Sequence, residues 1–260
     1  MNILKRIFLN EENKMNQETV INKMSELKLE GFKTAYQRQI EDRNYDKLSF
    51  NEKLYNLLEA QEIHQHNRKI QMNFRMSKIK DKQATLEDLA YRQTRGLNKE
   101  QILGLANMDF VRNYQNIIIT GKTGTGKSYL AQALSNRSIM DGFKAYYIRV
   151  PTILEEIAIS RADGTYTNFL RKLSKYNILI LDDFGINSLS ADDATNLLEI
   201  IESRVDLSSV IITSQLPVSQ WYEYLNNDTV ADAILDRIVH SSHRVELKGT
   251  SMRKIMSKLD

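Results

Sequence analysis

The sequence predicts an α/β protein, a central and mostly parallel sheet flanked by helices and preceded by a small all-α region. Three observations carry this. Short apolar runs rich in β-branched residues alternate with helical patterns in the second half of the chain, a Gly-rich phosphate-loop motif sits between one such run and a helix, and the first hundred residues lack strand-like alternation and proline. Continuous rather than alternating apolar runs mark strands covered on both faces, and strands alternating with helices close into a parallel sheet by right-handed crossovers. At 260 residues, with 42% hydrophobic and 27% charged residues, the chain is long enough to bury a core without staples. Cysteine is absent, which excludes a disulfide framework, thiolate zinc sites and a cysteine nucleophile, and suits a reducing interior.

Residues 1–14 read as an N-terminal extension with no signal-peptide pattern, and Met15 opens a helical texture and is a second candidate start. No run reaches the roughly 18 apolar residues of a membrane span, so a cytoplasmic protein without a membrane partner is expected. Over residues 15–107, Leu27, Leu29, Phe32, Ile40, Leu54, Leu57, Leu58 and Ile63 recur at helical spacing, predicting a small helical domain. Within it, residues 64–82 hold Arg68, Lys69, Arg75, Lys78, Lys80 and Lys82 against one acid, Asp81. A helix through this stretch sets Arg68, Lys69, Arg75 and Lys82 near one face, either as a phosphate-contacting surface or as a solvated basic face. With 36 Lys and Arg against 33 Asp and Glu, the net charge of +3 adds little to the choice.

Residues 108–260 form the second predicted domain. Strands are expected at 116–120, 145–150, 177–183 and 209–215, and helices near 127–140, 152–161, 191–205 and 229–239. Pro151 suits the first turn of the second of these helices. Gly121, Lys122, Thr123, Gly124, Thr125, Gly126, Lys127 and Ser128 match G-x-x-x-x-G-K-[ST] in full, after a strand and before a helix opening at Tyr129. Glycines let the backbone amides curl around phosphate oxygens at a helix N-terminus, Lys127 reaches the β- and γ-phosphates, and Ser128 offers a hydroxyl to Mg²⁺. Downstream, ILILDD ends in Asp182 and Asp183 at the strand end where ligands bind in open parallel sheets. Asp182 is assigned to the metal and Asp183 to the attacking water. Thr213, Ser214 and Gln215 end another strand, either facing the γ-phosphate or capping the turn before Pro217. Trp221 reads as a packing anchor, and the pair His240 and His243 falls short of a metal site.

The phosphate loop GKTGTGKSYLAQAL, the strand ILILDDFG, ITSQLPVSQW and the C-terminal ADAILDRIVHSSHRVELKGTSMRK together resemble the AAA+ ATPases. Within them the chain is similar to the IstB helper ATPases of IS21-type transposons, relatives of the DnaC helicase loaders. The resemblance implies an AAA+ fold, ATP with Mg²⁺ as cofactors, a sensor at Gln215, an arginine finger at Arg204 and a second sensor arginine at Arg237. It implies an ATPase that assembles with itself on duplex DNA, largely without regard to sequence, and stimulates an IstA-type transposase. A DnaC-like helicase loader is the nearest alternative, and a small-molecule P-loop kinase a more distant one. Asp183 and Gln215 stand where many AAA+ enzymes carry Glu and Asn, and the shorter carboxylate implies slow turnover.

Overall fold

The computed structural model describes residues 17–91 and 95–252, in two compact units that divide between Gln71 and Met72. The first holds a helix over residues 17–26, here α1, then α2 (Glu30–Glu41) and most of α3 (Phe50–Met76), which continues into the second unit. Gly31 lets α2 approach α3 closely, since a Cβ there would lie 2.5 Å from the Ala60 carbonyl oxygen. The Gln61 side chain, buried at the same crossing, accepts from the Phe32 amide at 3.1 Å. Of the apolar positions read as helix packing, Leu57 is buried, whereas Leu27, Leu58 and Ile63 are more than half exposed. The helical periodicity is real, but α2 crossing at Gly31 covers only part of the surface of α3.

The second unit is built on a fully parallel five-stranded sheet of β1 (Asn116–Gly121), β2 (Ala145–Arg149), β3 (Ile178–Phe184), β4 (Ser209–Ser214) and β5 (Ser242–Leu247), in the order β2-β3-β4-β1-β5. Isoleucines, leucines and valines of β1, β3 and β4 are buried on both faces, as their unbroken apolar runs require. Between the strands come α6 (Lys127–Met140), α7 (Val150–Ala162), α8 (Tyr166–Leu173), α9 (Ala191–Glu202), α10 (Trp221–Leu225) and α11 (Asp228–Val239), with α4 (Lys99–Ala106) and α5 (Asp109–Arg112) ahead of β1. Pro151 stands in the first turn of α7, and a Ser190–Asp193 capping box starts α9. Trp221 is fully buried against Phe184, its indole N–H donating to the Leu216 carbonyl at 3.2 Å. That is the anchoring place expected for it.

The structure departs from the sequence reading in several elements, among them the short helices α8 and α10, strand β5 and the end of α3. Strand β5 was not foreseen, because SHRVEL is an edge strand whose buried Val245 and Leu247 alternate with exposed Arg244 and Glu246. The helix expected to run through Lys82 ends at Met76 instead. The Ser77 hydroxyl donates to the Phe74 carbonyl and accepts the Ile79 amide, and Lys78 takes a left-handed backbone with φ 54°. Residues 77–91 then run as an irregular strap along the sheet edge and α6. The Tyr147 amide of β2 donates to the Ser77 carbonyl at 2.7 Å, and the α6 side chains Gln132 and Asn136 bond the strap backbone at Lys80, Asp81 and Ala84.

Candidate nucleotide and magnesium site

Because all five strands run the same way, the C-terminal ends of β1, β4, β3 and β2 share one end of the sheet, where ligands bind in open parallel sheets. The phosphate loop leaves β1 at Gly121 and enters α6 at Lys127. Gly124 takes φ +80°, and a Cβ there would lie 2.2 Å from the Ser251 hydroxyl, so only glycine fits between the loop and the C-terminal segment. The Met252 amide donates to the Gly124 carbonyl at 2.8 Å, and the buried Arg95 guanidinium donates to the Thr125 carbonyl at 2.9 Å, so segments from both ends of the second unit brace the loop. Inside it, the Lys127 ammonium and the Thr125 hydroxyl both donate to the Lys122 carbonyl, at 3.0 and 2.8 Å. The amides of the first turn of α6, Lys127 to Tyr129, point out of the helix end, where helix geometry offers them no intrahelical acceptor and the dipole favours an anion. The Tyr129 side chain turns the other way, its hydroxyl accepting the Thr85 amide of the strap.

Asp182 is the hub of this end of the sheet, only 2% exposed. Its Oδ1 accepts from the Ser128 hydroxyl at 2.9 Å and from the Thr213 hydroxyl of β4, and its Oδ2 accepts from the Tyr147 hydroxyl of β2. Burial, followed by the bond to Asp182, pushes the Tyr147 phenol well above its ordinary pKa, so at neutral pH it stays a protonated donor. Asp182 and Asp183 do not simply alternate across the strand. The pairing of β3 with β4 slips between Leu181 and Phe184, a bulge in which Asp183 adopts φ 62°. A non-glycine residue in that region costs about 1 kcal/mol, and aspartate is among the side chains that tolerate it best. The bulge sends the Asp183 amide to the Thr213 hydroxyl at 3.2 Å and its carboxylate to Arg149 Nε, at the end of β2, at 2.7 Å. Asp183 in turn holds the Arg149 guanidinium firmly charged. Gln215 reaches the loop itself, the Thr123 hydroxyl donating to its Oε1 at 2.6 Å.

The donor set fits a nucleotide with Mg²⁺. A hydroxyl and one carboxylate, both hard oxygen donors, converge beside an anion-binding helix end, and magnesium typically takes one or two carboxylates together with substrate phosphates. Among the described residues no group of three or more His, Cys, Asp or Glu is arranged as a self-sufficient metal cage.

The chain belongs to the IstB-like ATP binding protein family. The family model matches residues 22–259. A putative insertion sequence ATP-binding protein of Sinorhizobium fredii, y4pL, is 39% identical over 234 residues, covering 90% of this chain and 95% of the relative. The insertion sequence IS21 putative ATP-binding protein of Pseudomonas aeruginosa is 25% identical over 230 residues, covering 88% of this chain and 86% of the relative. Among solved structures, DnaI superposes with a TM-score of 0.54 at 23% identity over 64% of this chain and 92% of its own. AMPPCP-bound DnaA from Aquifex aeolicus gives 0.55 at 19% identity over 66% of this chain and 52% of its own. These likenesses identify the fold as that of the AAA+ class, as the sequence predicted. A helix long and apolar enough to cross a membrane is absent from the described residues.

The IstB-like chain departs from the expected site at both arginines. Arg204, expected as a finger for a neighbouring protomer, is 1% exposed and spent inside its own chain. It donates to the carbonyls of Leu173 at 3.0 Å, Tyr176 at 2.8 Å and Ser209 at 3.2 Å, tying α8, the approach to β3 and the start of β4 together. With no acid beside it, burial lowers its pKa to about 10, and it still stays charged at neutral pH. Arg237, expected as a second sensor arginine, lies by the start of β1, at the opposite end of the strands. Its carbonyl accepts from Asn116, the first residue of β1, a full strand of six residues (roughly 20 Å) from the phosphate loop. Its side chain pairs with Glu202 at 2.8 Å rather than with Asp232 or Asp236.

The basic stretch also loses its common face. Arg68, Lys69 and Arg75 are exposed on α3, whereas Lys78, Lys80 and Lys82 lie on the strap beyond the helix, all exposed, with Lys78 paired to Glu156 at 3.1 Å. Tyr147 and Arg149 were not foreseen at the site. Their only signal was position at the end of a strand whose neighbour had yet to be known. Replacing Arg204 with alanine takes a buried charged donor away from the Leu173, Tyr176 and Ser209 carbonyls, so we expect a loss of about 3 kcal/mol and a drop of about 10 °C in Tm. An unchanged thermal midpoint in calorimetry would return Arg204 to the surface role.

Proposed function

We propose that this protein is an ATP-dependent DNA-binding regulator of insertion-sequence transposition, acting in the cytoplasm. It assembles with itself on duplex DNA when ATP is bound, stimulates a partner transposase of the IstA type, and resets the assembly by slow hydrolysis. The observation that carries the reading is the Ser128–Asp182 contact beneath a complete phosphate loop, in a chain of the IstB-like family. Family context supports the transposition role, since relatives such as y4pL are described as insertion sequence ATP-binding proteins.

In this reading the loop amides and Lys127 hold the phosphates, while Ser128 and Asp182 hold Mg²⁺. Bound magnesium would neutralise charge developing on the β- and γ-phosphates. Gln215, against Thr123, senses the γ-phosphate, and Asp183 orients the attacking water. Its carboxylate is engaged by Arg149, which accounts for slow basal turnover: the acid must first leave its ion pair. Lys127→Ala should abolish nucleotide retention, whereas Asp183→Asn should keep it and lose at least about 100-fold in hydrolysis, measured by phosphate release. Equal hydrolysis in the Asp183 variant would remove it from the reaction.

The arginine a neighbouring protomer supplies is then Arg237 rather than Arg204. It is partly exposed at the end away from its own phosphate loop, where a second copy meets it, and its partner Glu202 is itself half exposed. Arg237→Ala should lower hydrolysis in the assembled state by about 10³, with nucleotide affinity of the monomer unchanged. A sensor acting at its own site predicts the reverse, weakened nucleotide binding at every protein concentration.

Assembly on DNA draws on the exposed cations Arg68 and Lys69 in the first unit and Arg75, Lys78, Lys80 and Lys82 in the second, which contact the phosphate backbone without reading bases. Light scattering on a duplex of known length should show growth only with ATP or a non-hydrolysable analogue. Affinity should fall steeply and linearly on a log-log salt plot, and charge-removing substitutions should reduce the slope. Preference for single strands and capture of a hexameric helicase would instead favour the helicase-loader alternative.

A further inference from the structure

Among the described residues, Tyr147 is the one hydroxyl donor to Asp182 that comes from neither the start of α6 nor β4. It lies on β2, the edge strand, opposite Ile180 in the register, and its phenol runs along β3 to reach Asp182 two residues further on, about 7 Å of strand rise. Both ends of the residue are pinned. Its amide is held by the Ser77 carbonyl, and its ring is buried, 5% exposed, with no freedom to swing. The two oxygens of Asp182 are unequally served: Oδ1 accepts from Ser128 and Thr213, whereas Oδ2 has Tyr147 as its one side-chain donor among the described residues.

A carboxylate with donors on one oxygen alone can rotate about its terminal torsion, which is broad and roughly two-fold. A donor on the second oxygen fixes the plane. We infer that Tyr147 is a positioning residue for magnesium: its hydroxyl, clamped to Asp182 Oδ2 from β2, sets the carboxylate plane in which Asp182 and Ser128 face the ion. The inference rests on the nucleotide and magnesium reading of this site. Groups that orient a metal-binding side chain from behind typically cost 10- to 100-fold in metal affinity when lost.

The test is the magnesium dependence of nucleotide binding by the full chain, followed with a fluorescent ADP in EDTA and across a Mg²⁺ titration. Tyr147→Phe removes one oxygen and keeps the ring. It should bind nucleotide in EDTA as the parent does, and its Mg²⁺ midpoint should rise at least 10-fold. Combined with Asp182→Asn it should add nothing, because the effect passes through that carboxylate. An unmoved or lowered midpoint, or an equal rise in the Asp182→Asn background, overturns the inference. Should Tyr147→Phe fail to fold, ¹³Cζ-tyrosine placed at position 147 of the otherwise native chain reports instead. Its resonance should move on adding Mg²⁺ to the ADP complex and stay still when Asp182 is asparagine, and a resonance unmoved by Mg²⁺ is again fatal. If the parent chain itself binds nucleotide with no magnesium dependence, the fault lies with the site assignment and not with Tyr147.

Discussion

The buried charge of Asp182 is the constraint on which the rest of the second unit depends. A carboxylate that is 2% exposed is stable only if its oxygens are hydrogen-bonded, since an unpaired buried ion costs several kcal/mol. Its three side-chain donors come from the start of α6, the end of β4 and the middle of β2. Each belongs to a different element, so the carboxylate is satisfied only when β1, β4, β3 and β2 are ordered and in register. The same requirement that holds the sheet together delivers an oxygen-rich corner beside a helix N-terminus, where a triphosphate and a hard cation are at home.

Arg204 solves the opposite problem at the opposite end of the strands. It is a buried cation with no acid near it, neutralised only by carbonyl dipoles from three segments. The two buried ions behave differently because of what surrounds them. Asp182 is satisfied by three side-chain hydroxyls, one of them from Ser128 at the start of α6. Arg204 is enclosed by main chain, so its donors serve the fold.

Asp183 shows how local backbone geometry can separate neighbouring carboxylates. Had β3 continued as a regular strand, Asp183 would have pointed through the sheet to its other face. The bulge, the left-handed φ and the bond to the Thr213 hydroxyl turn it instead along the sheet edge to Arg149. One threonine thus serves both acids, donating to Asp182 and accepting from the Asp183 amide. Strain of this size persists because neighbours on β2 and β4 over-determine the position.

What the linear sequence determined by itself was local. The apolar runs placed four of the five strands, and the glycine spacing placed the phosphate loop on the strand-to-helix turn that carries Ser128, with Asp182 near the end of β3 and Gln215 just beyond β4. Strand β5 escaped because an edge strand buries only alternate residues, as Val245 and Leu247 do. The end of α3 escaped because Ser77 stops it with a hydroxyl that looks ordinary in sequence. Tertiary structure alone decided that Tyr147 and Arg149 flank the two aspartates, that Arg204 faces inward and that Arg237 stands a strand's length from its own loop. Those facts depend on the order β2-β3-β4-β1-β5, set by long-range packing between segments that share no local pattern.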